Sequence, residues 1–439
     1  MNGASTTTQP RRQHWTGLLA ATGLLSITPL GALAQGGDNH RAFNVPYQVA
    51  LLGHNASSLA FHVTEEVDDS GDSGGHHNQG IARGYDKNGV PYMFVSHNNH
   101  GGMINVVKLE SRQQWQYSQG ERLRSNLVRK SVDTDDTPPP IEDRVVYNIR
   151  FVGSGNNFLG SGRPLKFEHP AGMQLIDDML VVACEGAQDW NPPRNTAIAL
   201  IDVRNPTNPT HRFTLWGPQS IDGKAVQSCL CAAVMRDADG KYVIAGMYDV
   251  DNDDANYLAL FKTSVTDLRE LTQFGNSIDN PGNITLIDTW HSSELGSDSG
   301  WWEGGGSTQS FQSINFVRQE DGRLFLLCGR STDGLPDSGN EYMYLFEAWF
   351  ANGQFQLDYI DRHELNRKYA HSGQYADFGA AGGVTVTPRG ELLVYGAAHY
   401  NQGPGNNGSN SQRFGEYFYA WLKYDNSAQP SDAYVALYE

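Results

Sequence analysis

Five times along these 439 residues a short apolar run enters a tight turn, a second apolar run leaves it, and a long polar loop follows. The turns are Asp86-Lys87-Asn88-Gly89, Ile176-Asp177-Asp178, Asp237-Ala238-Asp239-Gly240, Glu320-Asp321-Gly322 and Pro388-Arg389-Gly390. The runs entering them are 79–83, 171–175, 229–235, 313–317 and 383–387, and those leaving are 92–96, 180–184, 242–246, 324–328 and 392–396. Acidic residues and Gly at such positions close hairpins, so each recurrence predicts a pair of antiparallel strands. All-β self-similarity at irregular spacings of about 60 to 90 residues predicts a β-propeller. The expected architecture has five blades, with six as the alternative if residues 47–66 and a C-terminal strand at 433–438 form a composite blade. In either case the N- and C-terminal strands close the ring and remove an open edge.

The flanks of the repeats carry other information. Arg11 and Arg12 precede an apolar stretch, 17–33, that ends in Ala32-Leu33-Ala34. A charged start, an apolar middle and a small-x-small end predict a secretory signal peptide over 1–34, and hence a secreted or periplasmic protein. The stretch is short for a membrane span, so no membrane insertion is expected. Residues 35–45 are expected to be a disordered N-terminus. Residues 46–439 are then a single β-propeller domain with an insertion at 110–144, where a Gln/Arg-rich segment precedes an acidic linker holding Pro138-Pro139-Pro140. Strands are expected at 47–52 and 58–65.

Charge narrows the partners. Asp and Glu total 49 against 32 Lys and Arg, a formal net charge of −17. Long-range repulsion disfavours nucleic acid and anionic membranes. Four cysteines, Cys184, Cys229, Cys231 and Cys328, fall inside expected strands. Cys229 and Cys231 are two apart and therefore expected on one face, poorly placed to bond each other. Either a bridge from Cys184 to one of them or four buried thiols fits the sequence. No Cys-x-x-Cys spacing supports a zinc ribbon.

One unit carries a family resemblance. Its expected strands are 171–175, 180–184, 197–203 and 211–216. The run Ala199-Leu200-Ile201-Asp202-Val203-Arg204-Asn205-Pro206-Thr207-Asn208-Pro209 resembles the LVIVD repeat of bacterial and archaeal surface proteins. That resemblance covers 171–216 and implies a propeller blade, with no fixed chemistry. Physically, aliphatic residues make the strand, Asp202 ends it, and Asn-Pro-x-Asn-Pro fixes an extended turn.

If the tight turns lie at one end of every unit, the long loops gather at the other. They begin at His97, Glu185, Tyr248, Arg330 and His399, and antiparallel pairing sets them beside the starts of the first strands. Those starts carry His76, His77, Gln79, His169, Gln227, Gln312 and Asp377. A polar mouth at that end is the expected site for an extracellular ligand, a glycan or a protein. His77 or His399 suits a general base, Arg330 a carboxylate or sulfate clamp, and Glu185 with Asp377 an acid/base pair. The alternative function is therefore a carbohydrate-active enzyme, a polysaccharide lyase or glycoside hydrolase. A His/Tyr/Arg mouth is similar in composition to that of propeller polysaccharide lyases, which implies an Arg neutralising a uronate and a His or Tyr taking its proton. Trp301 and Trp302 lie in a Gly/Ser loop of the kind that reaches this face, and their rings suit stacking on sugars.

Metals are candidates too. His76, His77, His97, His100 and His169 suit a transition metal, although exposed histidines hydrogen-bonding in loops account for them as well. Asp249, Asp251 and Asp253 alternate as calcium ligands do, but Asp254 stands where such loops carry Gly and no Glu occupies position twelve.

Overall fold

Where one sheet is covered on both faces, its strands bury every residue, and the interior runs of this chain have that pattern. In the computed structural model the described residues are 40–52, 57–62, 78–97, 102–109, 143–151, 167–187, 196–250, 257–271, 283–291, 311–331, 341–365, 382–387, 390–397 and 411–418. The segments at 1–34, 110–142 and 433–438 discussed above lie outside them. After helix α1 (Val45–Ala50) and strand β1 (Ser57–His62), the described strands form five antiparallel groups of four. The first comprises β2 (Asn78–Tyr85), β3 (Pro91–His97), β4 (Met103–Leu109) and β5 (Asp143–Arg150). The second comprises β6 (Phe167–Ile176), β7 (Met179–Ala187), β8 (Thr196–Asp202) and β9 (Thr210–Trp216). A two-residue strand, β10 (Ser220–Ile221), pairs with the start of β11 (Lys224–Arg236). β11 leads the third group, with β12 (Tyr242–Val250), β13 (Tyr257–Thr263) and β14 (Ile284–His291). The fourth holds β15 (Ser313–Arg318), β16 (Leu324–Ser331), β17 (Glu341–Ala351) and β18 (Gln354–Leu365). The last holds β19 (Gly382–Val386), β20 (Leu392–Ala397) and β21 (Ser411–Phe418), and its fourth strand is β1, antiparallel to β21 from Ser57↔Glu416 to His62↔Ser411.

The cores lie between consecutive groups. On β8, Ile198 and Leu200 face the third group, while Ala197, Ala199 and Ile201 face the first. Alternate residues of one strand thus serve two cores, and an apolar run replaces the one-sided alternation of a solvated sheet. A third core joins the third and fourth groups, and a fourth joins the fourth and last groups beneath α1. The first strands touch in cyclic order: β2 with β6, β6 with β11, β11 with β15, β15 with β19, and β19 with β2. They approach so closely that a Cβ on Gly80 would lie 2.7 Å from Ala171 O, and one on Gly172 would overlap Cys231 Cβ and Gln312 O.

Four of the five tight turns share one geometry. Gly89, Gly240, Gly322 and Gly390 have φ of 76°, 79°, 93° and 84°, and their N–H groups donate to Asp86, Asp237, Gln319 and Thr387 O at 2.9, 3.0, 3.0 and 2.9 Å. In each the hydrogen bond closes on a residue in the left-handed region, the position that favours Gly. The remaining turn has two residues, Asp177 and Asp178, at φ 48° and 62°.

The N-terminal segment departs from expectation. Residues 47–52, expected as strand, lie largely in α1, capped by Asn44, whose side chain accepts from Tyr47 N–H. Val45, Val49 and Leu52 recur at helical spacing and fill the core between the last two groups. Residues within 40–45, taken as the end of a disordered segment, are hydrogen-bonded here: Ala42 N–H donates to Arg318 O (2.9 Å) and Val45 N–H to Gln319 Oε1 (2.7 Å). Gln48 closes the joint, accepting from Leu392 N–H (2.8 Å) and donating to Gly390 O (2.9 Å).

Candidate functional site

The end opposite the tight turns is organised by register. Pairing sets Asn78 against His97, His169 against Glu185, and Cys229 against Tyr248. In all three pairs the register slips just afterwards, between Asn78 and Ile81, Pro170 and Met173, and Cys229 and Cys231. Such irregularities re-aim side chains where first strands converge. They also correct the expected facing of the cysteines: Cys229 joins the core shared with the second group, and Cys231 the core shared with the fourth. All four cysteines are free and buried, and burial pushes every thiol up.

The centre of the described site is the pair His169 and Glu185, in contact through Nδ1 and Oε1, with exposures of 23% and 18%. A carboxylate accepting from Nδ1–H aligns the imidazole and favours the tautomer whose Nε2 accepts a proton. Gln227 is exposed, and Gln312 and Asp249 are half-buried near the starts of β11 and β15 and the end of β12. The arrangement can hydrogen-bond a neutral hydroxyl from either partner, and it can hold a proton.

Other expected site residues are placed differently. Gln79, His97, Tyr248 and Arg330 are buried within the sheets rather than on an open face. Tyr248 contacts the Cys229 thiol, and burial raises its phenol well above the ordinary range. Burial lowers the Arg330 guanidinium from its usual value. Gln79 lies at the start of a first strand and the other three near the ends of second strands, as expected from pairing, but all four are covered. His76, His77, Asp251, Asp253, Trp301, Trp302, Asp377 and His399 lie outside the described residues. Among the described residues no group of three or more His, Cys, Asp or Glu is gathered as a metal site.

Two residues absent from the sequence reading hold the first strands together. Ser96 Oγ accepts from Gly80 N–H (2.8 Å) and donates to Ala171 O (3.0 Å), tying the first group to the second. Gln174 Nε2 donates to Phe316 O (2.9 Å), while Oε1 accepts from Val234 N–H (3.1 Å) and Phe316 N–H (3.0 Å). A first strand has an unpaired edge toward the middle of the molecule, and these side chains satisfy it. The signal was a polar residue in an otherwise apolar run.

No family model matches the sequence, and no curated protein matches it. Among solved structures, the chain is similar to an endo-arabinase from Bacteroides thetaiotaomicron, at 12% identity and a TM-score of 0.37 over 88% of this chain and 99% of that one. It is similar to a levansucrase mutant of B. megaterium at 8% identity and a TM-score of 0.40, over 84% of this chain and 85% of that one. An intramolecular trans-sialidase from Ruminococcus gnavus matches at 11% identity and a TM-score of 0.31 over 74% of this chain. The match spans half of that protein's length.

Proposed function

We propose that the chain is an exported β-propeller of five blades that binds an extracellular glycan at the end carrying His169 and Glu185. Five four-stranded groups whose first strands touch in cyclic order support the blade count, and the pairing of β1 with β21 supports closure by the N-terminal strand. The unit at 171–216, with its LVIVD-like run, is then one blade. Export rests on the leader over 1–34.

The observation that carries the ligand site is the His169–Glu185 contact, a partly exposed pair held at matched register by two strands. A carboxylate and an imidazole side by side suit the hydroxyl groups of a sugar, which need donors and acceptors together. Titration calorimetry of residues 35–439 against neutral and acidic oligosaccharides tests this. One saturable ligand is expected, weakened about 10- to 100-fold by His169→Ala and by Glu185→Gln, the loss of a charge-assisted hydrogen bond. Binding unchanged in both variants would remove the pair from the site.

The same contact favours a second reading, a carbohydrate-active enzyme in which Glu185 orients His169 as a proton acceptor. In that case ligand turnover falls about 100- to 10,000-fold in His169→Ala while affinity changes much less. A bound glycan that stays intact over hours would exclude this reading and leave the binder.

A further inference from the structure

The tight-turn end of the molecule holds a second chemistry. A cavity of about 480 Å³ opens there, lined by His40, Arg41, Gln174, Arg236, Asp237 and Arg318 together with the apolar ends of β6, β11 and β15. Three guanidinium groups around one cavity stand out in a chain of net charge −17.

Two of these arginines occupy equivalent places in successive groups. Arg236 leads Asp237-Ala238-Asp239-Gly240, and Arg318 leads Gln319-Glu320-Asp321-Gly322. Each donates to the carbonyl of its own turn Gly, Arg236 Nη1 to Gly240 (3.0 Å) and Arg318 Nη1 to Gly322 (2.9 Å). Each then reaches back to the preceding group, and there they differ. Arg236 forms a salt bridge to Asp177 through Nη2 (2.7 Å), with Nε on the same carboxylate oxygen (3.0 Å). Among the described residues Arg318 Nη2 meets the backbone carbonyl of Arg236 alone (2.7 Å).

Among the described residues no carboxylate bonds to Arg318 or to Arg41. Asp237 lines the same cavity, but its carboxylate is engaged by Lys262. Burial, and next the charge of Arg41, lowers the Arg318 guanidinium from its usual value. A half-buried cation beside a second cation gains most from an oxyanion, whose two oxygens match the planar fork of donors.

We propose that this cavity binds a small oxyanion, a phosphate, sulfate or carboxylate group, between Arg318 and Arg41. The cavity has room for the small molecule that carries the group, and Gln174 and His40 are also in its lining. The site lies at the opposite end of the first strands from His169 and Glu185, so the two ligands are independent.

Calorimetry of the mature chain at constant ionic strength tests this, with inorganic phosphate, sulfate and citrate as probes and chloride as the reference. Saturable binding of at least one oxyanion is expected, weakened tenfold or more by Arg41→Gln and by Arg318→Lys. Arg41→Gln is the decisive variant, since Arg41 is exposed and its side chain makes no hydrogen bond or ion pair among the described residues. Preference for phosphate and sulfate assigns a tetrahedral group; preference for citrate assigns a carboxylate. His169→Ala leaves this binding unchanged whether or not the glycan site is real. No saturable heat with any oxyanion, or full affinity in both arginine variants, overturns the proposal.

Discussion

Gln174 ties three groups of strands together, and its loss has a calculable effect. Replacing it by Met keeps the length and nearly the volume of the side chain but removes both polar atoms, so cavity formation adds little. Three backbone groups lose a partner: the N–H of Val234, and the N–H and C=O of Phe316. A buried polar group left without its bond costs about 1 to 3 kcal/mol. The cavity at the tight-turn end touches Gln174, so water can reach part of this cluster and the lower figure applies, about 3 kcal/mol in all. With an unfolding entropy of about 2.1 cal/mol/K per residue over about 400 residues, that lowers Tm by roughly 4 °C. Differential scanning calorimetry of the Met variant and its parent measures the shift. Gln174→Ala adds a cavity to the same losses and should fall further. A Met variant within about 1 °C of the parent would refute the view that the side chain bridges unpaired strand edges.

Two further outcomes follow from the turns and the centre. Burial, reinforced by Asp202 and Asp177 against the opposing charge of Arg269, raises Asp178 to about 6. Its unfolded form releases the proton near 3.8, so stability is lost as pH rises from about 4 to about 6, and Asp178→Asn should regain it. The gain is of order 1 kcal/mol after solvent screening, full above pH 6 and absent near pH 4. Asn also tolerates the φ of 62° found there. Melting curves at pH 4 and pH 7.5 check this, and an equal shift at both would deny the titration. Gly172→Val places atoms on Cys231 and Gln312 and should cost about 1 to 3 kcal/mol or prevent folding, whereas the exposed Gly353→Asn in the β17–β18 turn should cost far less. Urea denaturation of the two side by side compares them.

Several features are legible in the amino-acid sequence. The four Gly-containing turns declare themselves because a left-handed backbone admits few residues, and the apolar runs beside them because strands between two covered faces need no polar side. Asp202 ends β8 as expected, and there it holds Arg204 (2.6 Å) and Arg212 (2.9 Å). Arg236 and Arg318 were visible as Arg four residues before a turn Gly, a spacing that reveals their shared role only once the turns are aligned. The helix at Val45–Ala50 was not legible, since the same apolar residues satisfy a buried strand and a helical stripe over so short a span. Nor was the burial of His97, Tyr248 and Arg330, whose polarity signals solvent until neighbouring sheets cover them.

The division has a physical basis. Local rules, the period of two and the steric demands of a turn, act over a few residues, so sequence alone determined the hairpins and their repetition. Three things were decided only by the tertiary structure: the pairing of β1 with β21, the facing of Cys229 and Cys231, and the placement of Arg41 and Arg318 on one cavity. Each depends on contacts between residues far apart in the chain or on the slip in register where five first strands converge, and no local preference encodes either one.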